Sequence, residues 1–229
     1  MAERTYHEQS IIKYTKQLRE IQEQLPKFTR QFFIAIDQTT AARTRVAYAT
    51  DLKNFFEYIQ LNYRNYAETE IVDYPIGILT ELKAEDFEQY IQYLKLYSDK
   101  NGKDIINHER SIKRKLSALR CMYQYFHKNK IINENPILQV NMPKLHDKAI
   151  IRFDEDETAN FLDEVETGAQ LTKKQKEFHD KNGVRDLAIL TLMLGTGIRV
   201  SECVGLNLSD IDIKNTRIKV TRKGGYEAF

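Results

Sequence analysis

The chain of 229 residues lacks the features of a secreted, metal-binding or membrane protein. It has only two cysteines, Cys121 and Cys203, and their spacing matches neither a disulfide scaffold nor a metal site. No apolar run approaches the roughly 20 residues that a helix needs to cross a bilayer. The opening MAERTYHEQS contains no apolar segment of a signal peptide. We therefore expect a cytoplasmic, unsecreted protein with no metal, no other cofactor and no membrane partner.

A large net charge is also absent. The formal net charge is +2, so total charge alone does not indicate a polyanionic partner. The charges are nevertheless unevenly distributed along the chain. Residues 111–130, SIKRKLSALRCMYQYFHKNK, hold six Lys or Arg and no acid, whereas residues 154–157 read DEDE. The sequence therefore predicts a local anion-binding face on a nearly neutral protein.

Prolines are few, and the apolar spacing is mostly helical. Only four prolines occur, and three stretches repeat apolar residues with a period close to 3.6. We expect three amphipathic core helices and a leading helix near residues 11–25. The predicted inward positions are Val46, Leu52, Phe55, Phe56, Ile59, Phe87, Ile91, Leu94, Ile112, Leu116, Leu119, Tyr123 and Phe126. The predicted fold class is mainly α.

The chain divides where the helical spacing stops. NENPILQVNMPKLHDKAI contains two prolines and no sustained period, which is typical of a connector. We predict an N-terminal helical extension at 1–26, a helical domain at 27–140, a linker at 141–151 and a second domain at 152–229. In the second domain, RDLAILTLMLGTG predicts a buried helix. RIKVTRKGG predicts a strand that enters a hairpin, the one clear strand of the chain.

The basic helix within residues 111–130 is a candidate nucleic-acid surface. Its apolar positions face inward, so we expect Lys113, Arg114, Lys115 and Arg120 on the exposed and flanking faces. Cations on a rigid helix that fits a major groove contact phosphates and base edges. The alternative is a solvated helix face that happens to be basic.

A second patch lies at the start of another predicted helix. Thr44, Arg45 and Tyr48 offer hydroxyl and guanidinium groups that suit contacts to a nucleic-acid backbone. Plain surface is an equally good interpretation of these three residues.

Glycine is scarce, yet two of the nine glycines interrupt one apolar run, at LGTGIRVSE. Gly195 and Gly197 each cost roughly 1 kcal/mol inside a helix and permit turns that other residues resist. We therefore expect both to end the buried helix. Thr196 is then placed to cap the helix that follows.

An arginine and a glutamate follow this break directly. We expect Arg199 in the first turn of the new helix, beside the core, with Glu202 three residues later and within pairing distance. One interpretation is a surface ion pair worth tenths of a kcal/mol. The other is an arginine fork that binds a phosphate, held by Glu202, with Lys223 on the hairpin able to reach the same anion.

The stretch RDLAILTLMLGTGIRVSECVGLNLSDIDIKNTRIKVTRKGG resembles the first conserved box of the tyrosine recombinases, the phage-integrase and Xer-type family. The motif T-G-x-R-x-S-E, then L-x-x-x-D-I-D and a strand ending in K-G, carries this resemblance. ARTRVAYATDLKNFFEYI and SIKRKLSALRCMYQYF resemble helices of the family's SAM-like core-binding domain, and NMPKL resembles its linker. The resemblance implies a SAM-like helical domain followed by part of an α+β catalytic domain.

The resemblance also implies a function. Family members clamp double-stranded DNA between two domains, and a tyrosine attacks the scissile phosphate to give a 3′-phosphotyrosyl link without a metal. Arg199 matches the arginine that neutralises the phosphate, and Glu202 matches the acidic position that supports the site. Lys223 matches the hairpin lysine that protonates the departing 5′ oxygen, and Arg222 beside it is a further DNA-binding candidate.

Some family features have no counterpart among these residues. No H-x-x-R segment follows the hairpin, and Tyr226 lies on the hairpin instead of the family's tyrosine helix. We therefore expect a truncated recombinase that binds DNA without cleaving it. Because the family's exchanged C-terminal segment forms its tetramer on paired sites, we expect a monomer or weak self-association. A non-catalytic DNA-binding regulator and a helical protein-interaction module are the alternatives.

Overall fold

The computed structural model describes residues 4–98, 101–146, 149–222 and 226–229. The chain splits into two compact units, one of Gln9–Asp147 and one of Met1–Glu8 with Lys148–Phe229. Among the helices of the described segments, none combines the length and the apolarity that a bilayer crossing requires.

Helices dominate the chain up to residue 147. They are α1 (Tyr6–Gln22), α2 (Thr29–Ala35), α3 (Ala42–Asn62), α4 (Ile78–Glu81), α5 (Ala84–Lys95) and α6 (Glu109–Lys128). Two short strands, β1 (Leu96–Ser98) and β2 (Asp104–Ile106), separate α5 from α6. Short 3-10 turns occupy Arg64–Tyr66, Ile71–Asp73 and Pro136–Gln139.

The core of this unit forms where the apolar period predicts it. The five predicted positions of α3 are all buried, as are the five of α6. In α5, Phe87 and Leu94 are buried and Ile91 is half-buried against the same cluster. Ring pairs extend the core from helix to helix, for example Phe55 of α3 stacked on Phe87 of α5 with centroids 5.7 Å apart. The three predicted core helices are confirmed.

Several short elements of this unit, among them α2, α4, β1 and β2, are absent from the sequence-based expectation. The seven-residue α2 buries Thr29, Phe32 and Phe33. Strands β1 and β2 pair antiparallel, with Leu96 opposite Ile106, so the chain has strands outside the predicted hairpin. The sequence does not predict these elements because they are too short to show a period.

The second unit combines three helices with short strand pairs among its described residues. The helices are α7 (Glu155–Thr167), α8 (Lys173–Thr196) and α9 (Val200–Val204). The strands are β3 (Ile211–Asp212), β4 (Arg217–Ile218), β5 (Val220–Thr221) and β6 (Glu227–Ala228). β3 pairs with β4 and β5 pairs with β6, both antiparallel. The predicted single strand is thus divided into β4 and β5. Between them lies Lys219, whose backbone N–H donates to the carbonyl of Asp210.

The acidic start of α7 forms a reciprocal cap. The Asp154 carboxylate accepts the backbone N–H of Glu157 at 2.8 Å, and the Glu157 carboxylate accepts that of Asp154 at 3.0 Å. This exchange satisfies two N–H groups that a helix start otherwise leaves unbonded.

Helix α8 differs from its prediction in two ways. Its first half is the polar stretch before residue 184, which has helical backbone like the apolar half. The helix is also not buried: Gly183 is its one buried residue among those described, and Val184 is 88% exposed. An apolar sequence predicted burial, but in this unit α8 packs against α7 and α9 on part of its surface and leaves other apolar side chains uncovered.

Candidate functional site

A left-handed glycine makes the bend after α8. Gly197 has φ 68°, and its N–H donates to the carbonyl of Met193 at 2.9 Å. Only glycine adopts this conformation without strain, so the helix ends here. Gly195, in contrast, lies inside α8, so the expectation that both glycines end the helix is wrong for Gly195.

Thr196 does not cap the next helix as predicted. Its hydroxyl lies 2.5 Å from the carbonyl oxygen of Leu192, to which it donates, within its own helix. The residue at the N-cap of α9 is Arg199, whose backbone is extended at φ −75° and ψ 154°. The bend at Gly197 therefore brings Arg199 to the start of α9, and its backbone N–H needs an acceptor there.

Glu202 supplies that acceptor and also holds the side chain of Arg199. Its Oε2 accepts the Arg199 backbone N–H at 2.8 Å, and its Oε1 accepts a hydrogen bond from Nη1 at 2.8 Å. Glu202 is buried, whereas the Arg199 side chain is 71% exposed. The carboxylate thus fixes one edge of the guanidinium and leaves its other edge facing outward.

Four interactions lower the pKa of Glu202 and keep its carboxylate ionised. The backbone hydrogen bond from Arg199 is the largest of the causes that lower the pKa of this carboxyl. The side-chain hydrogen bond and the positive charge of Arg199 lower it further, and the charge of Arg222 adds to them. The two predicted site residues Arg199 and Arg222 therefore act on the same carboxylate.

The structure describes only part of the hairpin. The backbone N–H of Arg222 donates to the carbonyl of Tyr226 at 2.7 Å, next to the β5–β6 pair, and the Tyr226 side chain is 75% exposed. Lys223 and the predicted turn glycines Gly224 and Gly225 lie outside the described residues.

On α6, the structure corrects the expected exposure of Lys115. Lys115 is 5% exposed, and its Nζ lies 3.6 Å from Oδ1 of Asp51, which is fully buried in α3. Arg114 donates from Nη1 to the other oxygen, Oδ2, and keeps its side chain 48% exposed. Lys115 is therefore a buried partner of a carboxylate and presents no exposed ammonium to a phosphate.

Burial dominates the electrostatics of this pair. It raises the pKa of Asp51, an effect that the charges of Arg114 and Lys115 partly offset. It lowers the pKa of Lys115, and the charge of Asp51 opposes that shift. The direction of both shifts follows from removing charged groups from water.

Two further arginines are engaged inside the helical unit. Arg120 donates from Nη2 to the carbonyl of Val140 at 2.6 Å and thereby holds the chain just after the Pro136–Gln139 turn. Arg45 forms an ion pair with Asp37, and its side chain is 14% exposed. Each guanidinium is half-buried and bonded to a group that the apolar period does not reveal.

The remaining predicted contacts lie at the surface of α3 and α6. Thr44 and Tyr48 on α3 are half-buried, and so is Lys113 on α6. Burial raises the pKa of Tyr48, and the charges of Cys121 and Asp51 add to that effect. We define the α3–α6 face by these three residues and the exposed Arg114.

Asp51 is the residue of this region that the sequence analysis missed. It lies one position before Leu52 and four before Phe55, both fully buried. Positions four apart share a helix face, so the spacing placed this carboxylate toward the core. A buried acid at a core position needs a cation as its partner. The excess of Lys and Arg on α6 was the signal in the sequence that could have pointed to this pairing.

Comparison with known proteins gives a consistent result. Residues 152–228 match the model of the phage integrase family. The tyrosine recombinase XerS of Streptococcus thermophilus is 30% identical over an alignment 234 residues long. The alignment covers 92% of this chain and 64% of the relative. XerS of Streptococcus equi subsp. equi is 33% identical, and XerS of Streptococcus uberis 32%, each over 80% of this chain and 56% of the relative.

The motif around Arg199 lies within the matched residues, so the second unit is of the phage integrase type. Residues 152–228 belong to the phage integrase family, and the chain is similar to tyrosine recombinases over most of its length. It spans between 56% and 64% of the length of these three relatives.

Proposed function

We propose that the chain is a DNA-binding part of a site-specific tyrosine recombinase and that Arg199 binds the scissile phosphate of duplex DNA. One observation carries the proposal. A buried Glu202 bonds both the backbone and the guanidinium of Arg199, while the outer edge of that guanidinium is exposed. A preorganised cation of this kind stabilises charge that develops on a phosphate without moving during the reaction.

The chemistry assigns one role to each residue. A tyrosine that we assign to none of the thirteen in this sequence loses its hydroxyl proton as its oxygen bonds to phosphorus, and the bond from phosphorus to the 5′ oxygen breaks. Arg199 neutralises the non-bridging oxygens as the charge on the phosphate rises. Lys223 gives a proton to the departing 5′ oxygen. Glu202 keeps Arg199 in place and does not touch the DNA.

The α3–α6 face is the proposed DNA surface of the helical unit. Lys113 and Arg114 contact phosphates, and the hydroxyls of Thr44 and Tyr48 add neutral donors to the backbone. Arg222 is the corresponding candidate on the hairpin of the second unit. The burial and the bonds of Lys115, Arg120 and Arg45 support a structural role for these three cations.

The state of the protein in the cell follows from the same proposal. A duplex DNA substrate is consistent with a protein that works in the cytoplasm, as we propose. We propose that these 229 residues are monomeric or associate weakly through exposed apolar side chains. Val184, Val200 and Leu208 are 88%, 62% and 91% exposed and support such association.

Duplex binding by these 229 residues tests the proposal. We expect binding whose logarithmic salt slope is about −4.5, since each neutralised phosphate contributes about −0.9 and five cations are proposed. Raising salt about fourfold then weakens binding roughly 500-fold. Fluorescence anisotropy of a labelled duplex measures this slope. Replacing Lys113 and Arg114 together by alanine is expected to reduce its magnitude by about two.

Two results would contradict the proposal. Absence of salt-dependent duplex binding would favour the protein-interaction module instead. We also expect no SDS-resistant adduct with a nicked suicide duplex, because we assign the attack to none of the thirteen tyrosines. An adduct that maps to Tyr226 would show that the hairpin tyrosine is the nucleophile.

A further inference from the structure

The buried carboxylate of Asp51 is the starting point. It is fully buried in α3, and both of its oxygens face cations of α6: Arg114 on Oδ2 and Lys115 on Oδ1. Removing a carboxylate from water is unfavourable, and only close pairing with cations offsets that cost. Burial of this group therefore requires both helices to be in register.

The two cations differ in what they present to the outside. Lys115 is 5% exposed, so its charge is used inside the unit. The side chain of Arg114 is 48% exposed. A guanidinium carries five N–H donors in a rigid plane, and the bond to Asp51 uses Nη1. A plane that is held at one edge presents its remaining edge in a fixed direction.

We propose that Asp51 is a positioning residue for DNA binding, which fixes the guanidinium of Arg114 at the α3–α6 face so that its outer edge meets a DNA phosphate. Lys115 balances the remaining charge of Asp51 and does not contact DNA. The inference rests on the proposed function, because it concerns how the same duplex is bound.

The sign of one substitution separates this role from simple electrostatics. Asp51, Arg114 and Lys115 together carry one net positive charge. Asp51→Asn removes a negative charge next to the DNA surface, so attraction at a distance predicts tighter binding. Positioning predicts weaker binding, because Arg114 loses the group that orients it. The two explanations therefore predict opposite changes in affinity.

The experiment compares Asp51→Asn, Arg114→Ala and their double variant by anisotropy with a labelled duplex. We expect Arg114→Ala to weaken binding about tenfold at moderate salt and to reduce the salt slope by about 0.9. We expect Asp51→Asn to weaken binding several-fold. The double variant is expected to bind no more weakly than Arg114→Ala alone, since both changes remove one contact.

A matched control excludes a general effect of lost negative charge, and a second variant excludes a folding defect. Asp73→Asn neutralises the exposed carboxylate that pairs with Lys27 in the same unit, and it is expected to leave affinity unchanged or slightly higher. Asp51→Asn leaves Lys115 buried without its partner and can impair folding. The variant Asp51→Asn with Lys115→Met removes both buried charges. It is compared with Lys115→Met alone, after circular dichroism shows both to be folded.

The outcomes separate the inference from the proposed function. Weaker binding of the folded Asp51→Asn/Lys115→Met variant, relative to Lys115→Met, supports positioning. Equal or tighter binding overturns it, and so does an Arg114→Ala variant with unchanged affinity in a chain that binds duplex DNA. A wild-type chain without salt-dependent duplex binding would overturn the proposed function and the inference together.

Discussion

Replacing Phe55 by alanine is expected to lower the free energy of unfolding of the helical unit by about 3–5 kcal/mol. Phe55 is fully buried, and its ring centroid lies 5.1 Å from that of Tyr90 and 5.7 Å from that of Phe87. The truncation removes contacts to both rings and leaves a cavity that a packed helix pair fills only partly. Urea unfolding followed by far-UV circular dichroism measures the loss.

Leu61 provides a matched control on the same helix. It is 75% exposed, so Leu61→Ala is expected to change the free energy of unfolding by no more than about 0.5 kcal/mol. Equal losses for the two variants would show that the α3–α5–α6 packing is not the core of this unit.

Replacing Arg199 by alanine is expected to weaken duplex binding about tenfold at about 0.1 M salt. The variant loses a charge-assisted hydrogen bond to a phosphate, and it leaves Glu202 buried with its negative charge unopposed by that guanidinium. Both effects weaken the binding of the DNA phosphate. Anisotropy titrations at several salt concentrations give the affinity and a slope reduced in magnitude by about 0.9.

Arg185 on α8 is the control for this prediction. It is also exposed, at 64%, and it also pairs with a carboxylate, that of Asp186. If general positive charge explains binding, Arg185→Ala and Arg199→Ala will weaken it equally. We expect the loss for Arg199→Ala to be clearly larger.

The helical core could be predicted from the sequence because its signal is periodic. Val46, Leu52 and Ile59 recur on one face of α3, and all are buried. The same reasoning failed for α8, where an apolar sequence indicated burial and Val184 is 88% exposed. Periodicity shows which side chains need cover, but not which parts of the molecule supply it.

The candidate site was predictable in its residues but not in its contacts. The spacing of Arg199 and Glu202 predicted their pairing, and the structure shows it. The role of Lys115 depends on Asp51, which lies far away in the sequence. The role of Arg45 depends on Asp37, which lies outside the apolar pattern. A search for apolar residues alone assigns such cations to the surface by default.

A scan of single methylphosphonates tests most directly whether Arg199 binds one DNA phosphate. Each probe duplex carries one neutral linkage, and its affinity is measured for the wild-type chain and for Arg199→Ala. We predict one position at which the neutral linkage weakens binding of the wild type about tenfold and has little effect on the variant, because the same contact is already lost. If the neutral linkages weaken both proteins equally at every position, Arg199 does not bind a phosphate and the account is contradicted.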